Sequence, residues 1–158
     1  SQGANLSFNR GLIVDGVSGN EVIFIGDGTG GIYVKNISEI SRLTSLQIKN
    51  LGAFSRQGQA YTGALNIFGG TVLIEDMVIT GAIAEDQLNI VNATIDVDSL
   101  AIGNANSDAF DCDFCKGSIV NFGVENIGGD GFDISGSDVS LERFSANYVN
   151  DKAVSVGE

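Results

Sequence analysis

The chain repeats itself at an interval of 21 to 23 residues, and few folds can use such an interval. Aligned on Gly63, Asp86, Asp108, Asp130 and Asp151, successive units start 23, 22, 22 and 21 residues apart. Two positions past each start stand Leu65, Leu88, Phe110, Phe132 and Ala153; four past it stand Ile67, Ile90, Cys112, Ile134 and Ser155. A second pair of columns runs through Val72, Ile95, Gly117 and Val139, and through Ile74, Val97, Ile119 and Leu141. A third runs through Met77, Leu100, Phe122 and Phe144, and through Ile79, Ile102, Val124 and Ala146. Within each pair the spacing is two, the period at which a strand puts its side chains on one face.

Three short strands per unit, bent by Gly, Asn, Asp and Ser turns, predict a coil, and stacked coils predict an all-β solenoid. The expected fold is a right-handed parallel β-helix with about 22 residues per coil. A β-sandwich would show hairpins with turn signals about every 8–12 residues and no columns of fixed identity. Residues 1–158 then form one domain. Residues 1–29, with Leu12/Val14 and Val22/Phe24, form an irregular first coil. Residues 30–62 form a coil with insertions, and 63–158 the regular coils. In the second coil Ile32 and Val34 make the first pair and Leu46, Ile48, Leu51 and Ala53 supply the rest. That places an insertion at 37–43, as a loop or short helix. The last coil ends after its first strand, as expected of a piece of a longer solenoid or a chain whose end a partner covers.

Composition bounds the partners. A net charge of −12 disfavours nucleic acid and anionic membrane surfaces, which are recognised through basic patches. No apolar run reaches the roughly 18 residues of a membrane-spanning helix. With two Cys and no His, a tetrahedral Cys/His zinc site cannot be filled. Cys112 falls in the apolar column of Ile67, Ile90 and Ile134, so it reads as a small buried hydrophobe. Cys115 falls in the turn beyond it. A bridge between them would draw Cys112 out of the core, so free thiols are expected, Cys115 the more reactive.

The outward positions carry the available chemistry. Asp86, Asp108, Asp130 and Asp151 form a column at the coil starts. Asn66, Asn89, Asp111 and Asp133 form a second, with Asp113 beside Asp111. Turn aspartates that accept backbone N–H groups, and a solvated acidic face, explain both columns structurally. Carboxylates at the strand spacing of about 4.8 Å repel one another unless they share protons or a cation. Asp111, Asp113 and Asp133 are therefore the candidate metal ligands, for Ca2+, a hard cation that takes oxygen ligands. The same three are the candidate catalytic groups if the chain acts on polysaccharide, since two carboxylates suffice for glycoside hydrolysis. Against catalysis stands the scarcity of bases: no His, and only Lys116, Arg143 and Lys152 in this half. Sequons at Asn5, Asn36 and Asn92 are frequent by chance in an Asn/Ser-rich chain.

The segments "SDAFDCDFCKGSIV", "GGDGFDISGSDV" and "DKAVSVGE", with "GGIYVKN" and "LNIVNATIDV" upstream, resemble the right-handed parallel β-helix repeats of bacterial surface proteins. These are of the kind found with spore-coat-protein-H-like (CotH kinase-like) domains. The resemblance covers residues 30–158 and is carried by the repeat type. It implies an extracellular or cell-surface module and supplies no catalytic residues; no kinase-like segment is present. The first functional expectation is a non-enzymatic β-helix module, a rigid spacer or a glycan- or protein-binding surface. The alternatives are a polysaccharide-active lyase or hydrolase using the Asp column, and a filament or oligomer unit that self-associates through its solenoid ends. Outward aromatics are few: Tyr33, Tyr61, Phe68, Phe114 and Tyr148. Phe68 is expected to pack against the 52–61 segment.

Overall fold

The computed structural model describes residues 4–36 and 38–157. In chain order the strands are β1 Leu6–Phe8, β2 Ile13–Asp15, β3 Val22–Ile25, β4 Ile32–Lys35, β5 Ile40–Lys49, β6 Phe54–Arg56, β7 Gln59–Tyr61 and β8 Gly63–Phe68. They continue as β9 Thr71–Thr80, β10 Asp86–Val91, β11 Thr94–Ala105, β12 Asp108–Asp113, β13 Lys116–Ile127, β14 Phe132–Ser135, β15 Asp138–Val149 and β16 Val154–Gly157. One sheet runs β1-β4-β8-β10-β12-β14-β16. The other runs β15-β13-β11-β9-β5-β2, with β3 also on β5. Every pairing in both sheets is parallel. The chain is thus a β-solenoid of about 7 turns, roughly 23 residues each.

The registers reproduce the apolar columns of the regular coils. Leu65 pairs with Leu88, Leu88 with Phe110, and Phe110 with Phe132. Met77 pairs with Leu100, Leu100 with Phe122, and Phe122 with Phe144. The expected second and third strands of each coil are one long strand here, bent between its two apolar pairs. In β5 and β9 that bend is marked by Ser45 and Asp76 at positive φ.

Three assignments change. Phe132 pairs with Val154 and Ile134 with Val156, so the last unit starts at Lys152, and Ala153 and Ser155 are one residue out of column. In the second coil, β5 already begins at Ile40, inside the segment expected as a loop or helix; Ile37 lies outside the described residues. Ser41 pairs with Val72 and Leu43 with Ile74, while Leu46 and Ile48 pair with Met77 and Ile79. Ser41 is therefore a polar residue in a core column. It is fully buried, and its hydroxyl accepts the Leu12 N–H at 3.1 Å and the Asn36 amide at 3.2 Å. Asn36, one of the sequon asparagines, is itself buried. The larger insertion is the antiparallel hairpin of β6 and β7. Gln57 and Gly58 at its tip both take positive φ, which suits the right-handed twist of a two-residue hairpin.

Corners stack as the columns do. Asn50, Gly81, Asn104, Asn126 and Tyr148 stand at or just past the end of the same strand in successive coils, and all are left-handed, with φ between 54° and 69°. Asn104 donates to Thr80 Oγ1 at 3.1 Å, and Asn126 donates to Asn104 Oδ1 at 3.3 Å. Asparagine tolerates this conformation because its short side chain bonds locally; tyrosine has no such compensation. We expect Tyr148→Asn to stabilise the protein by up to about 1 kcal/mol in reversible denaturation.

In the core, Phe110 and Phe132 stack at 4.9 Å between ring centroids, and Phe122 meets both edge-on. All three rings are buried, Phe132 completely. Phe132→Ala should cost about 3–5 kcal/mol; a loss under about 1 kcal/mol would contradict the column packing.

Candidate functional site

The outer face of the first sheet carries two side-chain columns. One runs Tyr33, Asn66, Asn89, Asp111, Asp133 and Ser155; the other runs Lys35, Phe68, Val91, Asp113 and Ser135. The β6–β7 hairpin folds over the N-terminal part. Tyr61 lies 4.6 Å from Tyr33, 5.0 Å from Phe54 and 6.0 Å from Phe68 between ring centroids. Phe68 thus packs against the inserted segment as expected. The amides of the first column divide by environment. Asn66 is fully buried and closes on Gly63, accepting its N–H at 3.0 Å and donating to its carbonyl at 2.5 Å. A Cβ at Gly63 would sit 2.9 Å from both Asn66 Oδ1 and the Asn89 side chain. Glycine at this one coil start therefore makes room for the amide.

From Gly63 the coil-start column continues through Asp86 and Asp108, and the register carries it to Asp130 and Lys152. These aspartates do cap backbone groups, but those of the next coil. Asp108 Oδ1 accepts the Asp130 N–H at 2.7 Å, and Asp130 Oδ1 accepts the Lys152 N–H at 2.9 Å. The Lys152 ammonium also bridges Asp130 at 3.0 Å and Asp151 at 2.8 Å. Burial acts against the Asp130 carboxylate, but the Lys152 N–H and ammonium hold it below the usual carboxylate range. Asp151 is outside the column.

Asp86 lacks this arrangement. The Asp108 N–H goes to the Glu85 carbonyl at 2.8 Å instead. Asp86 is buried, and its Oδ2 has no hydrogen-bond partner among the described residues; neither has Asn89 Oδ1. Burial pushes the Asp86 carboxyl up to about 6, with Glu85, Asp108 and Asp133 adding to the effect against a hydrogen bond from Thr62. Burial also pushes Asp111 up to about 7, helped by Asp113, Asp86, Asp133 and Asp108. Asp113 is raised by burial and by Asp133.

Asp111, Asp113 and Asp133, the candidate metal and catalytic residues, therefore do share one face, as neighbours across and along a flat sheet. Among the described residues no three Asp, Glu, Cys or His side chains are arranged to hold a metal ion. Asp86, expected as an outward turn aspartate, is instead buried. Counting along the strand puts it level with the inward pairs, yet its carboxyl helps raise that of Asp111, and Asp133 helps raise its own. Arg143 lies apart on β15, bonded to Asn121 Oδ1 at 2.7 Å.

The thiol expectation is overturned. Cys112 and Cys115 form a disulfide, with Cα atoms 5.9 Å apart. Cys112 stays in its column, between Ile90 and Ile134. The bridge forms because Cys115 turns inward: Phe114, at φ 54°, reverses the backbone at the corner and brings residue 115 into the core. Both cysteines are completely buried. Ser137, in the next coil, accepts the Cys115 N–H at 2.8 Å and donates to the Cys112 carbonyl at 2.9 Å.

Two outcomes follow. In guanidinium the protein should expose no thiol until reductant is added, and reduction should destabilise it by about 2 kcal/mol, the chain-entropy value for so short a loop. A Cys112 that alkylates without reductant would reject the bridge. For Asp111, the folded-state value of about 7 lies above the ordinary 3.8. The native state then binds more protons than the unfolded chain between these values, so stability falls as pH rises through that window. Asp111→Asn should raise the melting temperature at pH 8 and change it little near pH 4. Asn66 and Asn89 already occupy this column, so the amide fits.

No family model matches the chain, and no curated protein or solved structure matches it either.

Proposed function

We propose that the chain is a rigid, non-enzymatic β-helix module, a spacer and display surface that works outside the cytoplasm. The observation that carries this reading is the uninterrupted parallel ladder from β1 to β16, in which every coil hydrogen-bonds its neighbours in register. About 7 turns at a strand spacing of about 4.8 Å make a short rod roughly 30 Å long. The buried disulfide supports an oxidising compartment, where such bonds form and persist. The resemblance to repeat regions of bacterial surface proteins supports the same placement.

A spacer must carry tension without lengthening. Pulled between handles at Asn5 and Gly157 in an optical trap, the module should stay at constant length until coils are lost in discrete steps. Gradual extension at low force would overturn the spacer reading.

One observation favours a second reading, a polysaccharide hydrolase. A carboxyl held near 7, beside others on adjacent coils, is suited to general acid catalysis. On that reading neutral glycans incubated with the protein gain reducing ends, and Asp111→Asn abolishes the gain. Absence of turnover over a broad panel removes it.

A further inference from the structure

Beside the hairpin, the outer face of the first sheet holds a groove of about 320 Å³ that the spacer reading does not use. It is lined by the half-buried Tyr33, Phe68 and Val91 and by the exposed Lys35 and Asn92. Gly69 and Gly70 complete the lining without side chains. We propose that this groove binds a neutral glycan, laid along the solenoid axis.

Three features support a sugar chain as the occupant. The lining combines two aromatic rings and an aliphatic side chain with the polar groups of Tyr33, Lys35 and Asn92; such sites take ligands with an apolar face and polar groups around it. The C–H face of a pyranose ring meets the first requirement and its equatorial hydroxyls the second. The rings are also held in place. Tyr33 and Phe68 lie 5.5 Å apart between centroids, and Tyr61 of the hairpin braces both from the other side. A platform fixed before binding loses little conformational freedom on binding.

The third feature is repeat length. Lys35, Phe68, Val91 and Asp113 are consecutive members of one column, on β4, β8, β10 and β12. Their spacing along the axis is about 4.8 Å per coil, close to the length of a pyranose unit in an extended chain. Successive sugars therefore meet successive coils: an ammonium donor, a ring face, an aliphatic contact and a carboxylate acceptor. Both end groups can bond hydroxyls. A polyanionic glycan is disfavoured, because Asp113 at the far end and the acidic column beside it would repel it.

The test uses the intact protein with cellohexaose, mannohexaose and chitohexaose as neutral probes and hexagalacturonate as the acidic one. Binding is followed by calorimetry and by the intrinsic fluorescence of tyrosine. At least one neutral probe should saturate at or below millimolar concentration. Val91→Arg, which fills the groove from a solvent-facing position, should weaken it by about tenfold or more, equivalent to about 1.4 kcal/mol. Lys35→Ala, at an exposed site, should weaken it to a smaller degree. The melting temperatures of both variants should remain within a few degrees of the parent's, so that a folding defect is told apart from a lost contact. No saturable binding of any neutral probe, binding of hexagalacturonate alone, or equal binding to a folded Val91→Arg would each overturn the proposal. None of these results bears on the optical-trap test, so this site and the spacer reading stand or fall separately.

Discussion

The structure depends on one constraint: parallel strands a full coil apart hydrogen-bond in register. Because Leu88 must pair with Leu65 on one side and Phe110 on the other, equivalent residues of every coil lie one above another at the strand spacing. A choice made at one position is therefore repeated through the stack. Apolar positions become continuous columns and the core becomes a rod. Corners that need left-handed backbone become a line of asparagines and glycines. Where the repeated choice is acidic, like charges are stacked at a distance where they interact strongly.

The coil-start column shows three solutions to that last problem. At Asp130 the charge is kept, because the next coil supplies both a backbone N–H and the Lys152 ammonium. At Asp108 one backbone N–H is supplied and no cation. At Asp86 neither is present among the described residues, and one oxygen of the buried carboxyl lacks a partner, as does Asn89 Oδ1. There the carboxylate is destabilised, and protonation is drawn up towards neutral pH at Asp86 and Asp111. The chemistry is graded along the rod, from amides, aromatics and Lys35 at β4 and β8 to the Asp130–Lys152 ion pair at the last coil.

Much of this was legible in the sequence, and the gaps have physical causes. The regular columns from Val72 to Phe144 could be read because strand period and coil period reinforce each other over several coils. The last coil slipped by one residue because Asp151 imitates the coil-start aspartates; only the pairing of Phe132 with Val154 shows that Lys152 holds the position. The second coil was misplaced because Ser41 is polar in an apolar column, satisfied by the Leu12 N–H and Asn36, which a hydropathy pattern cannot show. The hairpin was concealed because Gln-Gly is a weak turn signal, although Gln57 and Gly58 adopt the required backbone. The disulfide was missed for a conformational reason. An inward Cys112 reaches a partner three residues on only because the left-handed Phe114 turns the chain back. The acidic face was visible as residues, but not the burial of Asp86.

The hairpin at 54–61 also shows how a solenoid of this kind can change over generations. It leaves the chain at a corner and returns to the same corner, so β4 and β8 stay in register across it and every downstream column keeps its phase. Corners are thus the places where segments of any length can be gained or lost. Within a strand, by contrast, an added or deleted residue would turn every later side chain of that strand to the opposite face. Between these limits lies the gain or loss of a whole coil, which lengthens or shortens the rod without altering the remaining contacts. Inherited variation in such a chain should accordingly fall into two kinds, ornament at the corners and whole-coil changes in reach, with little tolerated in between.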